Sequence, residues 1–174
     1  MKKPFLAILA GAIAVVCLIA IVLLHPAPAP TGTQHQVQRV VSGQTLEITG
    51  KDGKLKRVRL LGIKAPDLQQ RPWGPLARKR LEELIDNKPI LLENDLDAED
   101  SYQRRLAYAW RDKTLLNEKL VKEGHALAVS QIPNTKYDER LAHAQEWARV
   151  MGKGIWDPEN PMRLTPDEFR ERYR

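Results

Sequence analysis

Residues 58–67 constrain the fold of this chain more than any other segment, and they read VRLLGIKAPD. The apolar residues of this run predict a buried strand. Arg59 lies on the strand, and Asp67 lies just past Pro66. The run therefore predicts a sheet whose buried strand carries an arginine and ends in a polar corner.

Hydrophobic periodicity predicts the other elements. Strands are predicted at 36–41, 45–49, 55–63, 89–93 and 106–110, and helices are predicted from Gly74, from Asn117 as a cap, and over 138–151. This order predicts a mainly β domain with helices (α+β), in which five strands form a small barrel that three helices cover. In the charged tail, residues 158–174, the sequence TPDE at 165–168 is typical of the start of a further short helix.

An uncharged run at residues 5–24 follows Lys2 and Lys3. As a helix rising ~1.5 Å per residue, it would span roughly the 30 Å of a bilayer core. It predicts a transmembrane signal anchor, with residues 1–4 in the cytoplasm and the globular domain outside, as in a single-pass protein of a bacterial-type cell envelope. A cleavable signal peptide is the alternative. The proline-containing residues 25–35 predict an extended linker.

Composition narrows the function only partly. The formal net charge of +6 suits a polyanionic partner, but it suits an anionic membrane surface or a solvated surface as well. Cys17 is the only cysteine, which excludes an intrachain disulfide. The four histidines share no metal-ligand spacing, so the sequence predicts no histidine metal site.

Two arginines beside acids point to phosphodiester chemistry. A guanidinium presents two parallel donors to phosphate oxygens and stabilises the charge that grows during cleavage. Arg59 and Arg104 are the candidates, whereas Lys64 is a cation where such a site would hold a carboxylate. Each residue also has a purely structural alternative. For Arg59 it is an exposed position on a two-faced sheet. For Asp67 it is either a cap of the turn after Pro66 or a surface ion pair with Lys64.

Six segments, taken in order, carry a resemblance to a known family. They are VSGQTL at 41–46, RLLGIKAPD at 59–67, GP at 74–75, DSYQRRLAY at 100–108, LNE at 116–118 and GIW at 154–156. Together they resemble the staphylococcal nuclease-like, or thermonuclease, family over residues 36–157. The resemblance implies an oligonucleotide-binding (OB-type) barrel of five strands with three helices. It also implies calcium-dependent hydrolysis of DNA and RNA, with nucleic acid as the partner.

The resemblance assigns catalytic and substrate-binding roles. It implies that Arg59 and Arg104 are catalytic arginines and that Tyr102 lies near the substrate phosphate. Asp67 stands at the position of the family's catalytic glutamate and is one methylene shorter. Because misplacement of about 1 Å can cost ~100-fold in rate, this change predicts slower catalysis.

This chain departs from the family pattern at the calcium ligands. Gln44 and Lys64 replace two aspartates, and Ala65 replaces a threonine but keeps its backbone carbonyl. Calcium takes about six to eight oxygen ligands, usually with carboxylates among them, and an ammonium group repels it. We therefore expect a degenerate metal site in which Lys64 binds substrate phosphate. The family stacks a nucleobase on tyrosines at the segment matching 128–134, which has no aromatic residue here.

Three functions remain open from the sequence. The first is a membrane-anchored nuclease-family domain that hydrolyses phosphodiesters weakly at a degraded calcium site. The second is a non-catalytic module that binds nucleic acid or phosphate. The third is an envelope domain that binds other proteins through the surface of its barrel and its charged tail.

Overall fold

The computed structural model describes residues 29–50 and 52–173, which form nine β-strands, four α-helices and one short 3-10 helix. The strands are β1 (Thr33–His35), β2 (Val37–Ser42), β3 (Thr45–Thr49), β4 (Leu55–Leu60), β5 (Ile63–Lys64), β6 (Ile90–Glu93), β7 (Arg105–Arg111), β8 (Thr114–Leu115) and β9 (Leu127–Ala128). The helices are α1 (Trp73–Ile85), α2 (Leu116–Lys122), α3 (Asp138–Val150) and α4 (Pro166–Arg172), and the 3-10 helix is Gly154–Trp156.

Seven strands pair in one sheet, in the order β1-β6-β7-β4-β3-β2 with β8 added to β7, while β5 and β9 pair separately. The α+β class is confirmed. The closed five-stranded barrel is wrong, because the described sheet is open and has β1 at one end and β2 at the other. The sheet stays open because the chain changes partners at Gln36. Before this residue β1 pairs with β6, and after it β2 pairs with β3. Residues 33–35, predicted as linker, are a strand for the same reason.

The helices agree well with the periodicity. The buried residues Ala77, Leu81 and Ile85 form the predicted apolar face of α1 against the core. A fourth helix, α4, begins in the charged tail with the predicted start signal. The Thr165 side chain accepts the Glu168 N–H at 3.3 Å, and the Glu168 carboxylate accepts the Thr165 N–H at 2.7 Å. This reciprocal capping fixes where α4 starts.

The strand predicted at 55–63 is broken by a turn at Leu61 and Gly62. Gly62 has φ +70°, and a Cβ at this position would lie 2.4 Å from Cδ1 of Leu141. Only glycine fits both the backbone angle and the close packing of α3. The turn directs β5 away from the main sheet to pair with β9, and this brings Lys64 to the polar corner.

Asn117 does not cap α2 as predicted, since the N-cap residue is Leu115 and it makes no side-chain capping bond. The Asn117 side chain is fully buried instead. Its Nδ2 donates to the Leu61 carbonyl at 2.7 Å, and its Oδ1 accepts the Ala109 N–H at 2.9 Å. The side chain thus joins α2 both to β7 and to the turn that positions β5.

Asn117→Ala is expected to lower the free energy of unfolding by about 2–4 kcal/mol, because it leaves one buried backbone donor and one buried acceptor unpaired. Denaturant unfolding followed by circular dichroism measures the change. The control is Asn160→Ala at an exposed position, which is expected to change stability by less than about 0.5 kcal/mol. A loss at Asn117 no larger than in this control would contradict the bridging role.

No helix among the described residues is long and apolar enough to cross a bilayer. The anchor predicted at residues 5–24 and the cytoplasmic segment predicted at 1–4 lie outside the described residues, as do residues 25–28 of the predicted linker.

Candidate active site

Arg59 is buried near the end of β4, with only 8% of its surface exposed. Its Nη2 donates to the Ile63 carbonyl at 2.9 Å, across the turn at Gly62. Its Nη1 is also buried and has no hydrogen-bond partner among the described residues. The alternative of an exposed arginine on a two-faced sheet is therefore wrong, and a buried donor is left for an acceptor that the fold itself does not supply.

The electrostatic surroundings of Arg59 are dominated by other cations. Burial lowers the pKa of Arg59 to about 10, and repulsion from Arg104 and Arg170 acts in the same direction. Attraction to Asp100 and Asp167 opposes this lowering without cancelling it. A guanidinium in this environment gains more from an added anion than one at an ordinary surface position does.

Arg104 is held in place by Asp100, which lies four residues earlier. The Arg104 Nε and Nη2 lie 2.8 Å and 2.7 Å from Oδ2 of Asp100. Oδ1 of Asp100 accepts the backbone N–H groups of Tyr102 and Arg104, each at 3.0 Å. Burial acts to raise the pKa of Asp100, but these hydrogen bonds outweigh it and the pKa lies below its ordinary value. Asp100 lies in the segment 100–108 that carries the family resemblance but was assigned no role, although an acid four residues before an arginine was a usable signal.

The sheet brings the two arginines to one place. Strands β4 and β7 run parallel, and Val58 and Arg59 are in register with Arg105 and Leu106. Arg104 directly precedes this pairing, so it lies at the same edge as Arg59. Charge repulsion between the two arginines reflects this proximity.

Tyr102 is 78% exposed and lies beside Arg104, whose guanidinium carbon is 5.2 Å from the centre of the tyrosine ring. Both residues line an open groove of about 500 Å³, together with Glu47 and Arg57 on the neighbouring strands. Tyr102 therefore lies on an accessible surface next to Arg104.

Lys64 forms an ion pair with the carboxylate of Asp167, at the start of α4. Arg170, one turn further along α4, bonds the other oxygen of the same carboxylate. The hydrogen bond from Lys64 holds the pKa of Asp167 below its ordinary value; burial opposes this, and Arg170 adds to it. Lys64 thus pairs with Asp167, and its alternative pairing with Asp67 is wrong. Asp167 and Arg170 were missed because they lie outside the segments that resemble the family.

Asp67 caps the turn that follows Pro66. Its Oδ1 accepts the Gln69 N–H at 2.9 Å, and its carbonyl accepts the Gln70 N–H at 2.9 Å. The start of α1 is packed closely on this turn, because a Cβ on Gly74 would lie 1.8 Å from the Asp67 carbonyl oxygen. The capping bond predicted as one alternative is present, and it fixes the position of the carboxylate.

The predicted metal-site residues come together but bond to each other. The Gln44 Oε1 accepts the Ala65 N–H at 2.6 Å. Lys64, the residue before Ala65, pairs its ammonium group with Asp167. Within residues 29–50 and 52–173, no cluster of three or more His, Cys, Asp or Glu side chains is placed to hold a metal ion.

Comparison with known proteins gives the class of protein that this fold and site define. A family model described as "Staphylococcal nuclease homologue" matches residues 57–158. The chain is 39% identical to "Thermonuclease" of Staphylococcus hyicus over 127 residues, which cover 70% of this chain and 75% of that protein. It is 34% identical to "Thermonuclease" of Staphylococcus intermedius over 168 residues, which cover 90% of this chain and 99% of that protein.

A further relative comes from another genus. The chain is 33% identical to an "Uncharacterized endonuclease" of Haemophilus influenzae over 139 residues, which cover 80% of this chain and 74% of that protein. These likenesses extend over most of the chain. The chain belongs to the staphylococcal nuclease family, and the resemblance expected from its motifs is confirmed.

Proposed function

We propose that this domain binds the phosphodiester backbone of DNA or RNA through Arg59, Arg104 and Lys64, and that it hydrolyses the backbone weakly. The observation that carries this proposal is the buried, unpaired Nη1 of Arg59 among neighbouring cations. A phosphate oxygen is the acceptor that this group lacks. The names of the relatives, thermonuclease and endonuclease, support nucleic acid as the ligand.

The donor set argues against calcium. The Gln44 amide oxygen already accepts a hydrogen bond, and Ala65 contributes only a backbone carbonyl. Lys64 adds a positive charge where a carboxylate is needed, because Ca²⁺ requires several hard oxygen ligands. The Asp167 carboxylate is itself engaged by Lys64 and Arg170. These residues do not fit a calcium ion, so no step of the proposed chemistry passes through one.

Phosphate binding is then an exchange of anions. The Lys64 ammonium and the Arg170 guanidinium already hold one anion, the Asp167 carboxylate. A substrate phosphate would take over part of this contact while Arg59 and Arg104 bind its other oxygens. Asp67, fixed by its capping bond, is the carboxylate available to orient a water molecule. An ammonium group cannot acidify water as a metal ion does, which is why hydrolysis is slow.

A non-catalytic module is the second candidate, and the Lys64–Asp167 ion pair favours it. In the ligand-free protein this ion pair ties α4 to Lys64. A helix tied to the binding residues suits retention of a ligand more than turnover. Both candidates predict the same phosphate contacts and differ only in the rate of hydrolysis.

We also propose that residues 5–24 anchor the domain in a membrane, with the domain on the outer side. Carbonate extraction of membranes should leave the chain in the pellet. Protease added to cells whose outer membrane or wall has been opened, but whose cytoplasmic membrane is intact, should digest the domain. Release of the chain by carbonate, or protection of the domain in those cells, would contradict the anchored topology.

Binding of a labelled single-stranded oligonucleotide by the full-length chain, in nonionic detergent with EDTA, tests the phosphate contacts. Arg104→Ala is expected to weaken binding about 10- to 100-fold and to flatten the slope of log affinity against log salt by about 0.7, because one phosphate contact is lost. The control is Lys113→Ala, which removes a charge at the opposite end of β7 and should change neither quantity. Salt-independent binding would contradict the proposal.

A further inference from the structure

A second cleft lies between the loop 69–73 and the C-terminal segment 159–173, with a volume of about 410 Å³. This volume lies within the ~300–1,000 Å³ typical of small-ligand pockets. Aromatic rings from three residues line it: Trp73 from the start of α1, Phe169 from α4, and Tyr173 just after α4. The Phe169 and Tyr173 ring centres are 4.8 Å apart, and Tyr173 is 63% exposed. The cleft thus offers an accessible aromatic surface.

Gln70 gives the same cleft an unused hydrogen-bond acceptor. It lines the cleft and is only 2% exposed. Its Nε2 donates to the Leu164 carbonyl at 2.7 Å, and because a carbonyl can only accept, this bond fixes the orientation of the amide. The Gln70 Oε1 is therefore a buried acceptor, and it has no partner among the described residues. A ligand that carries an N–H donor would satisfy it.

The charged lining of the cleft favours an anionic ligand. Arg71 and Arg163 both line it, and Glu159 is the acidic residue beside them. Within residues 29–50 and 52–173 no carboxylate lies within ion-pair distance of either arginine. A ligand that combines a flat ring, N–H donors and a nearby phosphate matches all three features of the lining.

The cleft is joined to the phosphate-binding site through two elements. Asp167 and Arg170 of α4 pair at Lys64, while Phe169 of the same helix lines the cleft. On the other side, the Asp67 carbonyl accepts the Gln70 N–H at 2.9 Å. These two elements therefore place the cleft next to Lys64 and Asp67.

We propose that this cleft is a nucleobase subsite for single-stranded nucleic acid. An unpaired base stacks on the Phe169 and Tyr173 rings and donates an N–H to the Gln70 Oε1, while Arg71 and Arg163 contact an adjacent phosphate. A base inside a duplex is already stacked and paired, so the subsite selects single strands. This inference rests on the proposed backbone binding and names the part of the substrate that lies next to the bound phosphate.

The test compares two oligomers that carry the same phosphates. Hexathymidine and an abasic hexamer are each titrated against the full-length chain in nonionic detergent with EDTA, and the ratio of their affinities isolates the bases. Since stacking of a base on an aromatic ring strengthens binding, hexathymidine should bind the wild type roughly 10-fold more tightly than the abasic hexamer, or better. Phe169→Leu keeps an apolar side chain but removes the ring, and it should lower the ratio by about 5-fold or more without changing abasic affinity. Phe169→Tyr keeps the ring and should preserve the ratio.

Each outcome decides between the subsite and simple helix packing. If Phe169→Leu weakens both oligomers equally, the ring only docks α4 and the subsite is overturned. If the wild type binds both oligomers equally, the subsite is overturned while the backbone proposal stands. Arg104→Ala should weaken both oligomers to the same extent and leave the ratio intact, so failure of the backbone contacts is distinguishable from failure of the subsite.

Discussion

The double variant Gln44→Asp, Lys64→Asp is expected to gain calcium-dependent cleavage of single-stranded DNA, by about 100-fold or more over the wild type. The two changes make the local charge more negative by three units and place two carboxylates beside the Ala65 carbonyl, a set of oxygens that suits Ca²⁺. Arg59 and Arg104 are the residues proposed to bind the phosphate. Rates of oligonucleotide cleavage with calcium and with EDTA measure the gain.

The control for this variant is Gln44→Asn, Lys64→Met. It removes the ammonium group and its ion pair with Asp167 but adds no carboxylate. It should therefore show no calcium-dependent gain, which separates metal binding from release of α4. Wild-type cleavage as fast as that of the double aspartate variant would show that Lys64 does not disable the site.

Arg59→Met is expected to separate binding from stability. It removes a buried guanidinium whose Nη1 has no partner, a gain that loss of the Nη2 bond to the Ile63 carbonyl partly offsets, so the free energy of unfolding should stay the same or rise by up to about 2 kcal/mol. Affinity for the oligonucleotide should fall about 10- to 100-fold, because a charge-assisted phosphate contact is lost. Urea unfolding and fluorescence anisotropy measure the two effects on the same sample.

The pKa of Arg59 gives the sign of the stability change. Folding lowers this pKa from the ordinary value of arginine to about 10, so the folded state holds the proton less tightly than the unfolded state. The resulting penalty is fully present at neutral pH, and it is relieved only as the pH rises above about 10 towards the ordinary pKa of arginine. Removing the group should remove the penalty at pH 7.

The matched control is Arg111→Met, at the other end of β7 from Arg104. Its Nη1 donates to the Leu84 carbonyl at 2.7 Å, so losing this side chain should lower stability by about 1 kcal/mol and leave DNA affinity unchanged. Arg59→Met is thus expected to lower DNA affinity without loss of stability, whereas Arg111→Met is expected to lower stability without loss of DNA affinity. A large loss of stability in Arg59→Met would contradict the interpretation of Arg59 as a ligand-binding residue.

Local sequence patterns predicted most elements of this fold. Periodicity located the helices well, because apolar spacing on α1 and α3 reflects one continuous buried face. The break between β4 and β5 was missed, since the apolar run continues through Gly62 while the backbone reverses there. Barrel closure was wrong because it depends on which strands pair, and β1 and β2, adjacent in sequence, pair at opposite ends of the sheet. Asn117 was misassigned because its partners Leu61 and Ala109 are remote in sequence or lie on another element.

The candidate site also contains residues that local motifs indicate and contacts that depend on the tertiary fold. The motifs named Arg59, Arg104 and Asp67 as candidates, and the parallel pairing of β4 with β7 explains why the two arginines meet. The contacts of Asp167 with Lys64 could not be predicted, since they span 103 positions and depend on how α4 docks. Composition alone does not report such long-range contacts between charged groups.

Calorimetric titration of calcium into the wild-type, full-length chain tests the central claim most directly, because the claim is that Lys64 and Gln44 leave no calcium site. We predict no saturable heat of binding up to millimolar calcium and the same oligonucleotide affinity in calcium as in EDTA. A saturable one-site isotherm, accompanied by tighter oligonucleotide binding, would contradict the account.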